Sequence, residues 1–170
     1  SYIVDLKNHY EELARQNEEK VKNVIAPSSN VEGLTDGKAI IDKIIEPYKG
    51  KIVYMDIWGT WCQPCINAIK SSPKLKEAVK DYDIVYVYFA GQSEEIAWKG
   101  CIAELGLTKP NYVHYNLPQN QQDALFKYLN LDGCPFYVLF DKQGNMEKLD
   151  RGHIGNVEGF KKKIEELSKK

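Results

Sequence analysis

Two continuous apolar runs, Ile52 to Trp58 and Ile84 to Ala90, constrain this chain most, because a helix-patterned stretch lies between them. Both runs are rich in branched and aromatic residues and hardly alternate with polar ones, which is the pattern of strands covered on both faces. Between them Cys65, Ile66, Ile69, Leu75 and Val79 fall at mostly helical spacing over Cys62 to Tyr82, with a kink expected at Pro73. Buried strand, helix, buried strand points to a parallel crossover and to the α/β class.

The alternation continues on both sides. Ala39 to Tyr48 reads as a helix before the first run. After the second, Ile96, Trp98, Cys101, Ile102 and Leu105 predict a helix ending at Gly106, with Ser93 as its N-cap. Asn111 to Tyr115 reads as a short strand, Gln119 to Leu129 as a helix and Phe136 to Asp141 as a strand. Lys142 to Asn145 then forms a Gly-containing hairpin loop into Met146 to Leu149, and Val157 to Leu167 closes the chain as a helix. At the other end Ile3, Leu6, Tyr10, Leu13, Val21 and Val24 make the stripe of an amphipathic helix over Tyr2 to Ile25. The stripe falters at Asn17 and Lys20, so it is expected to dock on the body of the protein, or to be the tail of an upstream segment, rather than to enter a coiled coil. Turn formers from Ala26 to Asp36 complete an N-terminal helix and connector, residues 1–36, ahead of a main domain at 37–170.

Composition removes several functions. Lys and Arg number 23 against 24 Asp and Glu, so no field exists to gather nucleic acid or anionic lipid. No apolar stretch approaches the ~20 residues that span a bilayer. The chain opens at Ser1 without a basic-then-apolar leader, which is consistent with a removed signal peptide or a larger upstream region. A chain of 170 residues buries enough surface to fold without staples, so its four cysteines are free for other work.

The densest chemistry is Trp58-Gly59-Thr60-Trp61-Cys62-Gln63-Pro64-Cys65, at the handover from buried strand to helix. A thiol at a helix start lies over unpaired N–H groups and the positive end of the dipole, which favours thiolate; Cys62 is thus the expected nucleophile. Cys65, one turn in, is within disulfide reach and can resolve a mixed disulfide, while Pro64 stiffens a first turn that tolerates it. A structural zinc site would want a second Cys/His pair, and Cys101, Cys134, His9, His114 and His153 are all isolated. Cys101 shares a helical face with Trp98 and Leu105 and is expected in the core, and His153 is expected in a solvated loop.

Asp56, Trp58, Trp61, Cys62, Pro64 and Cys65, with Gly133, Pro135, the strand Phe136 to Asp141 and Gly144 downstream, resemble the thioredoxin superfamily. Tyr48-Lys49-Gly50-Lys51, Trp98 and Phe136 to Lys142 are similar to its secreted TlpA/ResA-type thiol-disulfide oxidoreductases. The resemblance covers about Ala39 to Leu167. It implies a thioredoxin-like fold, a central mixed β-sheet with helices on both faces plus an N-terminal helical extension, and a cis peptide before Pro135 beside Cys62 and Cys65. It implies a periplasmic or cell-envelope location, disulfide-containing protein substrates and a separate, membrane-borne dithiol donor. No nicotinamide or flavin fingerprint is present, so no cofactor is expected; Gln63-Pro64 keeps the proline of reducing members, which favours a reductant.

Asp56 matches the family's buried carboxylate beneath the second cysteine. A carboxylate in an apolar strand should have a raised pKa and could shuttle the proton of Cys65; the alternative is a strand-end aspartate bonded to backbone. Trp61, Gln63, Pro64, Gly133, Cys134 and Pro135 are the expected substrate contacts, the backbone at Cys134 pairing with an extended substrate strand. Trp58 is expected in the core. Two positions depart from the pattern. Ala68 stands where relatives often carry glutamate, so no relay role passes to it. Cys134 stands where they carry an aliphatic residue or threonine, and three readings stay open: a small hydrophobe, a third exchanging thiol, or part of a Cys62/Cys65/Cys134 metal trap. A metal-binding or metallochaperone module on those cysteines is the alternative function, and a peroxidase a weaker one.

Overall fold

A computed structural model describes residues 1–170. The elements in order are α1 (Tyr2–Val21), α2 (Gly37–Ile45), β1 (Ile52–Trp58), α3 (Gln63–Ser71), α4 (Pro73–Ala78), β2 (Ile84–Ala90), α5 (Glu95–Glu104), β3 (Tyr112–Tyr115), α6 (Gln119–Tyr128), β4 (Phe136–Phe140), β5 (Met146–Leu149) and α7 (Val157–Ser168). Every residue of β1 and of β2 is buried, as continuous apolar runs require of strands covered on both faces. The five-stranded sheet runs β3-β2-β1-β4-β5. β1 pairs in parallel with β2, and β2 with β3, while β1–β4 and β4–β5 are antiparallel. The mixture follows from the connections. Helical crossovers separate the parallel pairs, and only the short loop at Gly144, φ 86°, permits the hairpin.

Side-chain alternation along the strands divides the core in two. Val53, Met55, Ile57, Val87, Phe89 and Val138 face α2 and α6. Ile40, Ile41, Ile44 and Ile45 of α2 are buried there, each contributing about 1.5–3 kcal/mol. The start of α2 is held by its N-cap Asp36, whose carboxylate accepts from Ala39 N at 3.0 Å. Its first residue must be glycine, since a Cβ on Gly37 would lie 2.2 Å from the Ala124 carbonyl oxygen of α6. On the opposite face Tyr54, Trp58, Tyr86, Tyr88 and Tyr137 meet α3, α4, α5 and α7. Pro73 breaks the helical stretch after Cys62 into α3 and α4, with Ser72 between them.

Two expectations change. The stripe of α1 does not dock along its length: Tyr2, Ile3, Val4, Leu6, Tyr10 and Leu13 are exposed, and only Val21 is buried. Contact begins where the apolar stripe falters, near Asn17, and Glu18 pairs with Lys99 of α5 at 3.0 Å. The connector then adds to the sheet, because Ile25 bridges His114 in parallel on the outer edge of β3. His114 N donates to Val24 O at 2.8 Å and Ala26 N to His114 O at 2.9 Å, so the open edge is partly covered. Ser93 does not cap α5, whose N-cap is Glu94 with no side-chain bond. Its hydroxyl is used elsewhere.

Candidate redox site

The strand-to-helix turn is tied down from both ends. Ser93 Oγ accepts from Thr60 N at 3.0 Å and donates to Gly91 O at 3.0 Å, and Trp61 Nε1 donates to Gly91 O at 2.9 Å. A Cβ on Gly59 would lie 2.5 Å from Trp61 Nε1, so glycine lets the indole fold back over the turn. Cys62 follows as N-cap of α3, and its Sγ accepts from Cys65 N at 3.2 Å. The first turn of α3 thereby points a backbone donor and the helix dipole at that sulfur. Cys62 and Cys65 are joined in a disulfide with Cα atoms 5.2 Å apart.

Both cysteines are buried in this oxidised form, Cys62 at 3% and Cys65 at 1% exposure. The exposed members of the motif are Trp61, at 57%, Pro64 and Gln63, whose amide donates to Asn67 Oδ1 at 2.9 Å. Trp58 is fully buried, as expected of core. One residue beyond the Ile57–Phe136 pair, at the end of the sheet that leads into the motif, the Cys134–Pro135 peptide is cis and Gly133 sits at φ 150°. Cys134 is a free, partly buried thiol packed against both halves of the core, and burial pushes its pKa up, which suits the small-hydrophobe reading. No group of three or more His, Cys, Asp or Glu side chains is arranged to hold a metal ion, so Cys62, Cys65 and Cys134 are not assembled as ligands. Cys101 is partly buried against the α5 side of the core, burial raising its thiol as well.

Asp56 lies on β1 between Tyr88 of β2 and Tyr137 of β4, its direct neighbours in register. It is 5% exposed, and its Oδ1 has no hydrogen-bond partner, which excludes the strand-end aspartate satisfied by backbone. Loss of water raises its pKa from the ordinary 3.8 to about 7, opposed by the ammonium of Lys76. Lys76 is a residue that sequence reading passed over. It reaches in from α4, donates to the Tyr88 hydroxyl, and lies 4.8, 5.1 and 4.4 Å from the ring centroids of Tyr86, Tyr88 and Tyr112. Burial lowers its own pKa to about 8 despite Asp56. A cleft of about 420 Å³ under α4, lined by Lys76, Tyr86, Tyr112 and Lys109, opens this group to solvent. His114 stacks on Tyr88 with centroids 4.8 Å apart, and burial pushes its pKa down to about 4.

His153 is not a solvated loop histidine. It is 9% exposed and inserted among Tyr54, Tyr137 and Phe160. Its Nδ1 faces the Asp150 carbonyl at 2.6 Å, which can only accept, so Nδ1 carries the hydrogen and Nε2 accepts from the Tyr54 hydroxyl at 2.6 Å. Burial lowers its pKa and keeps the ring neutral.

A thioredoxin-like family model matches residues 50–146, more than half of the chain, and the chain belongs to that family. Among curated relatives, the thiol-disulfide oxidoreductase ResA of Geobacillus kaustophilus is 25% identical over 119 residues, 70% of this chain and 64% of that protein. ResA of Bacillus thuringiensis subsp. konkukian is 25% identical over 126 residues, 74% of this chain and 66% of that protein. The chain thus spans slightly less than two thirds of the length of these relatives. Among solved structures, a thiol:disulfide interchange protein from Bacteroides sp. superposes with a TM-score of 0.59 at 22% identity, covering 71% of this chain and 78% of that one. The thioredoxin domain of a thiol-disulfide oxidoreductase from Bacteroides vulgatus gives 0.57 at 24% identity, covering 68% and 83%. Both share the fold.

Proposed function

We propose that this chain is a thiol-disulfide oxidoreductase that reduces disulfides in protein substrates. The observation that carries the reading is the Cys62–Cys65 disulfide at the N-terminus of α3, with the sulfur of Cys62 accepting a backbone N–H. The names of the ResA relatives support it. In the reduced protein the Cys62 thiolate attacks one sulfur of the substrate disulfide, the substrate S–S bond breaks, and the departing thiolate takes a proton. Cys65 then gives its proton to the ionised Asp56 and attacks Cys62 Sγ, which frees the second substrate thiol and closes Cys62–Cys65. Two electrons pass to the substrate, and a separate dithiol protein must restore the pair.

Asp56 suits the proton step because a carboxyl near 7 exchanges protons at neutral pH, where an ordinary aspartate is fully ionised. Trp61, Gln63 and Pro64 offer the exposed surface of the motif, with Pro64 also stiffening it. We assign Gly133, Cys134 and Pro135 to the opposing wall; in support, the N–H and C=O of Cys134 have no partner within the chain, leaving them for an extended substrate segment. Residues 37–170 carry the chemistry and residues 1–36 are an appended segment. No helix of the chain is long and apolar enough to cross a membrane. We place the protein in the cell envelope by its likeness to ResA, with a membrane-borne donor.

Replacing Cys65 with serine blocks resolution. Incubated with an extract containing its substrates, the variant should retain partners on Cys62 that reducing agent releases. Absence of any such adduct, together with no reduction of a protein disulfide by the parent, would refute the reading.

A further inference from the structure

The hairpin register pairs Tyr137 with Leu149, which places Pro135 directly across from Arg151. The main-chain ladder ends there, because Pro135 has no N–H to donate and Arg151 opens the turn Arg151–Gly155. A side chain takes over where the backbone stops. Arg151 Nε donates to Pro135 O at 2.6 Å, and one terminal nitrogen donates to Gly133 O at 3.2 Å and to Asp132 Oδ1 at 2.8 Å. One guanidinium therefore grips the carbonyls on both sides of Cys134. On the other flank the pairing of β4 with β1 ends at Phe136, so nothing else fixes Cys134 through its backbone.

We infer that Arg151 is a positioning residue for polypeptide substrates: by holding the Gly133 and Pro135 carbonyls it fixes the unpaired peptide groups of Cys134 before an extended substrate segment arrives. This rests on the proposed exchange reaction. A planar fork with several donors suits the task, since one side chain can meet two carbonyls and a carboxylate that lysine cannot span. The pair with Asp132 is half-exposed on both sides and contributes little stability itself, so the backbone bonds are the significant contacts. Without the grip, the Cys134 backbone must be ordered during binding, and fixing one residue corresponds to about tenfold in affinity. A small disulfide that touches only sulfur gains nothing from that order.

The test compares Arg151→Gln with the parent on a disulfide-containing polypeptide and on hydroxyethyl disulfide, which has no peptide group. The expected result is a KM for the polypeptide raised about tenfold, with its kcat and the hydroxyethyl disulfide reaction changed less than twofold. Arg151→Lys should restore part of the loss, and Asp132→Asn, which keeps both carbonyl bonds, should leave KM close to the parent. Equal losses on both substrates, or none on the polypeptide, overturn the inference. If the parent reduces neither substrate, the exchange reading itself fails. Backbone 15N relaxation at Cys134 then tests the grip alone: a lower order parameter in Arg151→Gln supports it, and an unchanged one rejects it.

Discussion

Replacing Asp56 with asparagine should change how stability depends on pH, by an amount that follows from the burial of one carboxyl. Asp56 is 5% exposed, Oδ1 lacks a partner, and the nearby Lys76 ammonium only partly offsets the loss of water. An unfolded aspartate ionises at the ordinary 3.8 and the folded one at about 7. Folding therefore takes up a proton between these values, and the stability this group contributes in acid is lost as pH rises through that window. At 1.36 kcal/mol per tenfold change in proton affinity, ionised Asp56 costs the folded state about 4 kcal/mol above pH 7. Asparagine cannot ionise, so its own unpaired amide adds an offset that does not vary with pH. Between about pH 4.5 and 7.5 the stability of the variant relative to the parent should rise by about 3 kcal/mol, or about 6–12 °C in Tm for a chain of this size. His114 and His153 titrate in parent and variant alike and cancel in the difference. Stopping at 7.5 keeps Lys76, near 8, mostly charged. Urea unfolding of the oxidised protein across that range measures the gap. A gap that stays constant would show that Asp56 is ionised in the folded state throughout and would remove the basis for its proton role.

Lys76→Met should move the titration of Asp56, followed by carboxyl NMR, above its value of about 7, since the cation that lowers it is gone; an unmoved midpoint would mean that the ammonium does not act on Asp56. Tyr54→Phe removes the hydroxyl that donates to His153 Nε2 and leaves that nitrogen buried without a partner. It should cost about 1–3 kcal/mol in urea unfolding at neutral pH, and a variant as stable as the parent would contradict the assigned tautomer.

The strands were legible because nothing but burial on both faces tolerates seven consecutive apolar or aromatic residues with a single aspartate, and some helix limits because Pro73 and Gly106 punctuate the pattern. The stripe of α1 misled because periodicity reports that a face exists and not what covers it. Ser93 misled for a related reason. A hydroxyl ahead of two glutamates satisfies the rule for a cap, yet the same hydroxyl can serve the Thr60 and Gly91 backbones, and those partners are fixed by the sheet rather than by the neighbouring sequence. His153 finds Tyr54 ninety-nine residues away, a separation no local pattern encodes.

The same division runs through the site. Cys62, Gln63, Pro64 and Cys65 need only one helical turn to become a redox pair, so their spacing nearly specifies their chemistry. Other groups around the pair come from elsewhere in the chain. Lys76 stands beside Lys74 in a run with no feature to separate them, and only the packing of α4 turns one lysine into solvent and the other toward Tyr88. Arg151 sits in an ordinary polar loop until the β4–β5 register sets it opposite Pro135. The proposed proton step rests on Asp56, and the charge that lowers the pKa of Asp56 comes from that lysine. The cysteine motif is thus written in one segment, while the lysine that acts on Asp56 and the arginine proposed to hold the Cys134 backbone come from segments that only the fold brings near it.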